Sequence, residues 1–186
     1  MKARKIKTPL TQDVITSLKA GDMVLLSGDI YTARDAAHRR MYEALSKSLP
    51  LPVDLLTTTI FYAAPSPTPP GRVIGSIGPT TSYRMDAFTP TLIEHGLRSM
   101  IGKGNRSPAV VEAIKKHKAV YFGAIGGIAA LTARCVTSME LVAYEDLGPE
   151  AIRKLSVVDL PLVVINDSQG NDLYVSEQAK WRTASI

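Results

Sequence analysis

The sequence is poor in the residues that usually announce chemistry. It has one cysteine, Cys135, one tryptophan and three histidines. A single thiol excludes an internal disulfide and cannot hold a metal cluster alone. The neighbours of Cys135, in Leu131-Thr132-Ala133-Arg134-Cys135-Val136, are small and apolar, which suits a packed core thiol. His38, His95 and His117 are far apart and lack metal-ligand spacing. His95 and His117 fall near predicted helix ends, where imidazole offsets the helix dipole. No metal is expected on this chain, so any metal would have to come from elsewhere. No apolar run approaches the roughly 18 residues of a membrane span. The basic start, Met1-Lys2-Ala3-Arg4-Lys5-Ile6-Lys7, is not followed by a signal-like apolar segment. The expectation is a cytoplasmic protein with no membrane partner. Aromatics are sparse and do not interleave with the cations, which disfavours nucleic acid as a partner.

What is present is an ordinary globular composition, 45% hydrophobic over 186 residues, enough for a real core. A single domain over residues 8–186 is expected, behind a basic arm of residues 1–7. The formal charge of +5 favours anionic partners as a class.

Strand and helix patterns alternate along the chain, implying an α/β domain of mixed sheet flanked by helices. Thr11–Leu18 suits a short helix, and Asp22–Gly28 a buried strand. Thr32 and Asp35 form a capping-box pattern ahead of a helix running to about Leu49. Arg39 and Arg40 are assigned to its solvated face. Thr57–Ala64 is β-branched and aromatic, hence a strand. Pro65–Gly71 is a stiff loop, and Arg72–Ile77 is a β-like run. Thr89–Gly96 carries helix start and stop signals. Strands are expected at Arg98–Ile101, Ala119–Ile125 and Met139–Tyr144, and a small-residue helix at Ile128–Ala133. The acidic loop from Glu145 leads into helical turns. Val157–Ile165 contains Pro161 and is placed at an edge or a bulge. Asn166–Asp172 is turn chemistry, after which Leu173–Val175 is read as returning in a hairpin.

Three loops carry donors. Arg34 lies in the first turn of a helix, where a cation opposes the dipole. A bound anion would compensate it, and so would a nearby carboxylate such as Asp35. Gly78-Pro79-Thr80-Thr81-Ser82-Tyr83-Arg84 places three hydroxyls and a guanidinium on a bend, a composition suited to an oxyanion. Lys103 stands between two glycines in a loop leading to a helix capped by Ser107, without the Gly-Lys-Ser/Thr order of a P-loop. Arg106, in the same loop, is assigned to the surface. If the loops converge, two arginines, a lysine and several hydroxyls suit a small dicarboxylate. They supply neither a strong base nor a Lewis acid, because an unassisted threonine hydroxyl is too weakly acidic.

Arg34-Asp35-Ala36-Ala37-His38-Arg39-Arg40, Gly78 through Asp86, and Ile101-Gly102-Lys103-Gly104 resemble the β subunit of class I fumarate hydratase. Tyr144 through Ala151 and Asn166 through Tyr174 extend the resemblance, which runs from about residue 8 to 176. The family also includes L-tartrate dehydratase. The resemblance implies a swivelling β/β/α domain that partners a separate fumarase α subunit, in a heterotetramer of two α and two β chains. It implies that the α subunit, not this chain, holds a [4Fe-4S] cluster. It further implies that Arg34, Arg84 and Lys103 bind the dicarboxylate, with Thr81 beside them. Thr80 would move the C3 proton, activated by a carboxylate of the α subunit. Tyr83 departs from the small residue expected there.

The function so implied is reversible hydration of fumarate to (S)-malate. L-tartrate dehydratase or a related hydro-lyase is the alternative of the same class. A non-catalytic dicarboxylate-binding module is the alternative of a different class. Pairing of the isolated chain with itself as a homodimer is left open.

Overall fold

The computed structural model describes residues 3–182. The strands are β1 (Arg4–Lys7), β2 (Met23–Thr32), β3 (Thr59–Phe61), β4 (Ser99–Gly102), β5 (Val120–Gly123), β6 (Val136–Ala143) and β7 (Ile152–Asn166). The helices are α1 (Gln12–Ser17), α2 (Asp35–Ser46), α3 (Thr89–Glu94), α4 (Pro108–His117), α5 (Ala129–Arg134) and α6 (Leu173–Trp181). The fold is mixed α/β, with a seven-stranded sheet ordered β1-β2-β3-β4-β5-β7-β6.

β2, β3, β4 and β5 are mutually parallel, and β7 runs antiparallel to both β5 and β2. Because β7 pairs along the full length of β2, strands β2, β3, β4, β5 and β7 close into a ring. Side-chain alternation then separates two cores. Phe61, Ile101 and Phe122 point into one core with Leu26, Leu155 and Val164. Ile60, Tyr62, Met100 and Tyr121 point into the other, against Ala37 and Met41 of α2, Leu92 of α3 and Ile114 of α4. Strands covered on both faces become continuously apolar, which explains the runs at 59–63 and 119–124.

Of the edge and the bulge expected around Pro161, the structure has the bulge, just before the proline, where Asp159 adopts a left-handed φ of 51°, while Leu25 pairs with Pro161 inside the ring. Three expectations need correction. Arg72–Ile77 forms no strand. The Ser66 N–H bonds the Ser76 carbonyl at 2.9 Å and the Ile77 N–H bonds the Ala129 carbonyl at 3.2 Å, so its backbone is partly satisfied by loops. Leu173–Val175 opens α6 because the Asp172 carboxylate accepts from the N–H groups of Tyr174 and Val175, a cap that outweighs hairpin pairing. Arg4–Lys7, read as part of a basic arm, is a parallel strand; only Ile6 of the four is buried. Met1 and Lys2 lie outside the described residues.

Candidate functional site

The carboxyl ends of the parallel strands bring the three donor loops together. The chain leaves β2 at Thr32 and reaches Arg34, the residue directly before α2. It leaves β4 at Gly102 and reaches Lys103. The hydroxyl loop lies beside the end of β3, with the Thr80 N–H donating to the Tyr62 carbonyl at 2.6 Å. Thr81 bridges to Lys103 in parallel fashion. Arg84, in the short 3-10 turn Ser82–Met85, forms an ion pair with Asp35 at the start of α2. Arg34, Thr80, Thr81, Arg84 and Lys103 therefore share one face.

Ser82 ties the hydroxyl and lysine loops together, although sequence alone gave it no separate role. Its N–H donates to the Lys103 carbonyl at 2.9 Å, and its Oγ accepts from the Lys103 N–H at 3.0 Å. The same Oγ lies 2.8 Å from the Tyr121 hydroxyl, which also donates to the Gly104 carbonyl at 2.9 Å. Burial is the main reason the Tyr121 phenol is pushed well above its ordinary range, so it remains a neutral donor.

Arg106 requires a correction. It is buried, with its guanidinium 5.1 Å from the Tyr62 ring centre and 4.9 Å from that of Tyr121. It donates to Asp86 at 2.8 Å, the Tyr62 hydroxyl at 3.1 Å and the Thr89 hydroxyl at 2.9 Å. Its charge faces the core beneath the loops, where a polar network fixes α3 and the lysine loop to each other. Cations are rarely buried unless paired, and a lone basic residue in a Gly-Asn-Arg-Ser turn gives no local sign of its partner.

Of the two arrangements anticipated for Arg34, the carboxylate pair is present, with Glu150 rather than Asp35 as the partner. Its Nη2 pairs with Glu150 at 3.2 Å, while Asp35 is taken by Arg84. Thr32 is not a capping box; its hydroxyl donates to the Ala151 carbonyl at 3.3 Å. Arg40 is only partly solvated: it pairs with Asp146 and lies 5.2 Å from the Tyr144 ring centre. His38 is fully buried below Arg34, and its Nδ1 donates to the Arg34 carbonyl at 2.9 Å.

The donors left for a ligand are the threonine hydroxyls, the lysine and the guanidinium N–H groups that the Arg34 and Arg84 ion pairs do not use. Among the described residues, neither the Thr80 nor the Thr81 hydroxyl has a hydrogen-bond partner, and Lys103 Nζ has no carboxylate partner. Two surface clefts of about 540 and 410 Å³ contain none of the five residues. The candidate site is an open face with exposed Arg84, Lys103 and Tyr83.

Residues 1–177 match the family described as Fumarase C-terminus. The chain belongs to that family. Among similar proteins, the aerobic class I fumarate hydratase of Escherichia coli strain K12 is 42% identical over 163 residues, 87% of this chain and 30% of its own length. Fumarate hydratase 2 of Leishmania major is 38% identical over 173 residues, 91% of this chain and 30% of its own. A putative L(+)-tartrate dehydratase subunit beta of Methanocaldococcus jannaschii is 39% identical over 171 residues, covering 89% of this chain and 88% of its own. This member of the fumarase C-terminus family thus spans about 30% of the fumarate hydratases it matches. It has nearly the length of the separately named beta subunit.

Proposed function

We propose that this chain is the β subunit of a hydro-lyase that interconverts fumarate and (S)-malate. The observation that carries the reading is the meeting of Arg34, Arg84, Lys103 and the free threonine hydroxyls on one open face. Guanidinium and ammonium donors on separate loops suit the two carboxylates of a short diacid. Arg34, Arg84 and Lys103 hold the dianion, with Thr81 contributing beside Lys103. They also stabilise the charge that grows on one carboxylate as the C3 proton leaves. Thr80 moves that proton at its hydroxyl, activated by a carboxylate from a larger α subunit.

The cofactor assigned to the complex is a [4Fe-4S] cluster, with the α subunit as its holder. The described residues of this chain bring together no ligand set for such a group. Cys135 is half-buried, its thiol pushed up by burial and by Asp159, and its Sγ lies 3.9 Å from the Leu131 carbonyl. No group of three His, Cys, Asp or Glu side chains among the described residues is placed to hold a metal ion. When held by the partner, the cluster supplies a Lewis acid; binding, orientation and proton transfer are the share of this chain.

The test is reconstitution under anaerobic conditions with the α chain, assayed with fumarate and tartrate. Arg34→Ala and Arg84→Ala are each expected to lower kcat/KM on fumarate by about 100-fold or more. Thr80→Val is expected to lower kcat more than it raises KM. Turnover of Arg84→Ala near the unsubstituted level would overturn its role. A preference for tartrate over fumarate would favour the dehydratase, a reading supported by the similar beta subunit.

A further inference from the structure

Resting on the dicarboxylate reading of this face, we propose that Glu150 and Asp35 are positioning residues that hold Arg34 and Arg84 for the ligand. Both arginines already have carboxylate partners, and both partners meet the first turn of α2. Arg34 precedes that helix and gives it no side-chain cap. The cap comes instead from Glu150, far along the chain. Glu150 Oε2 accepts from the Ala36 N–H at 3.1 Å, while Oε1 pairs with Arg34 Nη2 at 3.2 Å. One carboxylate therefore satisfies a free helix N–H and fixes the guanidinium beside it. Asp35 favours the dipole from the first turn and pairs with Arg84 Nη2. Guanidiniums arriving from two different loops are thus anchored to one rigid turn.

The supports of Glu150 are themselves fixed. The Arg153 guanidinium donates to the Gly148 carbonyl at 2.9 Å and the Pro149 carbonyl at 3.3 Å. On the same segment, Asp146 pairs with Arg40, which also lies over Tyr144. The acidic stretch at 145–150 is clipped onto α2 at two successive turns, through Arg34 and Arg40.

Charge explains why orientation, rather than attraction, is the task of these carboxylates. Arg34, Arg84 and Lys103 against Asp35 and Glu150 leave one net positive charge, so the carboxylates reduce the raw pull on a dianion. A guanidinium has five N–H donors in a planar fork. With one donor committed to a fixed carboxylate, the remaining donors face a ligand in a set plane, and less side-chain freedom is lost on binding. The pairs are only part-buried, with side-chain exposures of 24% and 25% for Arg34 and Glu150, and 42% and 31% for Arg84 and Asp35.

The test separates charge from capping. Glu150→Gln keeps an oxygen to accept from the Ala36 N–H but loses the ion pair; Asp35→Asn does the same for the Arg84 pair. In the full chain, nitrogen NMR of the arginine side chains reports hindered rotation of each guanidinium. Glu150→Gln is expected to free Arg34 and leave Arg84 held, and Asp35→Asn the converse. In the reconstituted complex, each is expected to raise KM for fumarate by about tenfold while kcat changes by less than about threefold. Unchanged guanidinium rotation in both variants would overturn the proposal, as would an unchanged or lowered KM in both. A complex of unsubstituted chains that turns over neither fumarate nor tartrate would sink the functional reading instead. The NMR result would then still decide whether these carboxylates hold the arginines.

Discussion

His38 lies beneath the candidate site with its Nδ1–H on the Arg34 carbonyl and its ring edge-on to Tyr62, 5.1 Å between centres. Burial is the main reason its pKa is pushed down from 6.5 to about 4; the bond to Arg34 acts in the opposite direction. Arg106 lowers it further and Asp35 partly offsets that effect. The folded protein therefore resists a proton that the unfolded chain accepts near pH 6.5. Stability is lost as pH falls from about 6.5 to about 4, and between about pH 7 and pH 5 the loss is roughly 2 kcal/mol. His38→Asn keeps a donor for the Arg34 carbonyl without titrating. Urea unfolding at the two pH values is expected to show that much less acid sensitivity in the variant. An unchanged difference would show that His38 does not titrate as its burial requires. Arg106 is a second residue-scale case, since Arg106→Met would leave Asp86, Thr89 and the Tyr62 hydroxyl without their shared donor. Calorimetry or urea unfolding is expected to show a loss of about 3–5 kcal/mol, whereas a surface arginine would cost almost nothing.

At the level of elements, Gly102 links the fold to the site. It ends β4 directly before Lys103, and a Cβ at that position would collide with Ser82 Oγ and come within 2.8 Å of Tyr62 Cδ2. Gly102→Ala must displace Ser82, and with it the bonds joining the hydroxyl loop to Lys103 and Tyr121. Overpacking of this kind costs about 1–3 kcal/mol. The melting temperature is expected to fall and KM for fumarate to rise together; a lower melting temperature with an unchanged KM would separate the loop contacts from the site. The positions of Arg34 and Lys103 just beyond strand ends were legible in the sequence, whereas Thr80 and Arg84 were marked by the composition of their bend and not by the strand expected before it, which does not form. The partners of those residues were not legible. Glu150 and Arg34 are brought together by the pairing of β7 with β2, a long-range contact with no local trace. Pro161 pointed to an edge or a bulge, and what decides for the bulge, the ring closure that encloses it, is equally non-local. The run Arg72–Ile77 had a strand's composition but found its backbone partners in loops.

On the scale of the whole molecule, the loops meet on a face that this chain does not close. Tyr83 makes the point sharply. In place of the small residue expected there, its ring stands 67% exposed beside Arg84. The turn is held by other groups: the Ser82 N–H bonds the Lys103 carbonyl, and the Asp86 N–H bonds the Tyr83 backbone carbonyl at 3.1 Å. The Tyr83 ring therefore adds little to the stability of the isolated chain, and its large apolar surface gains a role only where something covers it. The proposed α subunit is the natural cover, since this chain accounts for about 30% of the fumarate hydratases it matches. Tyr83→Ala is expected to change the unfolding free energy of the chain by no more than about 0.5 kcal/mol, the usual limit for surface substitutions. The same substitution is expected to weaken association with the α subunit by about tenfold or more, the scale of an exposed aromatic buried at an interface. Titration of the labelled α chain with each β chain measures the second effect, and thermal or urea unfolding the first. A large stability loss with unchanged association would place the ring in the fold of this chain. Unchanged values in both measurements would leave Tyr83 facing solvent in the complex and remove it from the interface.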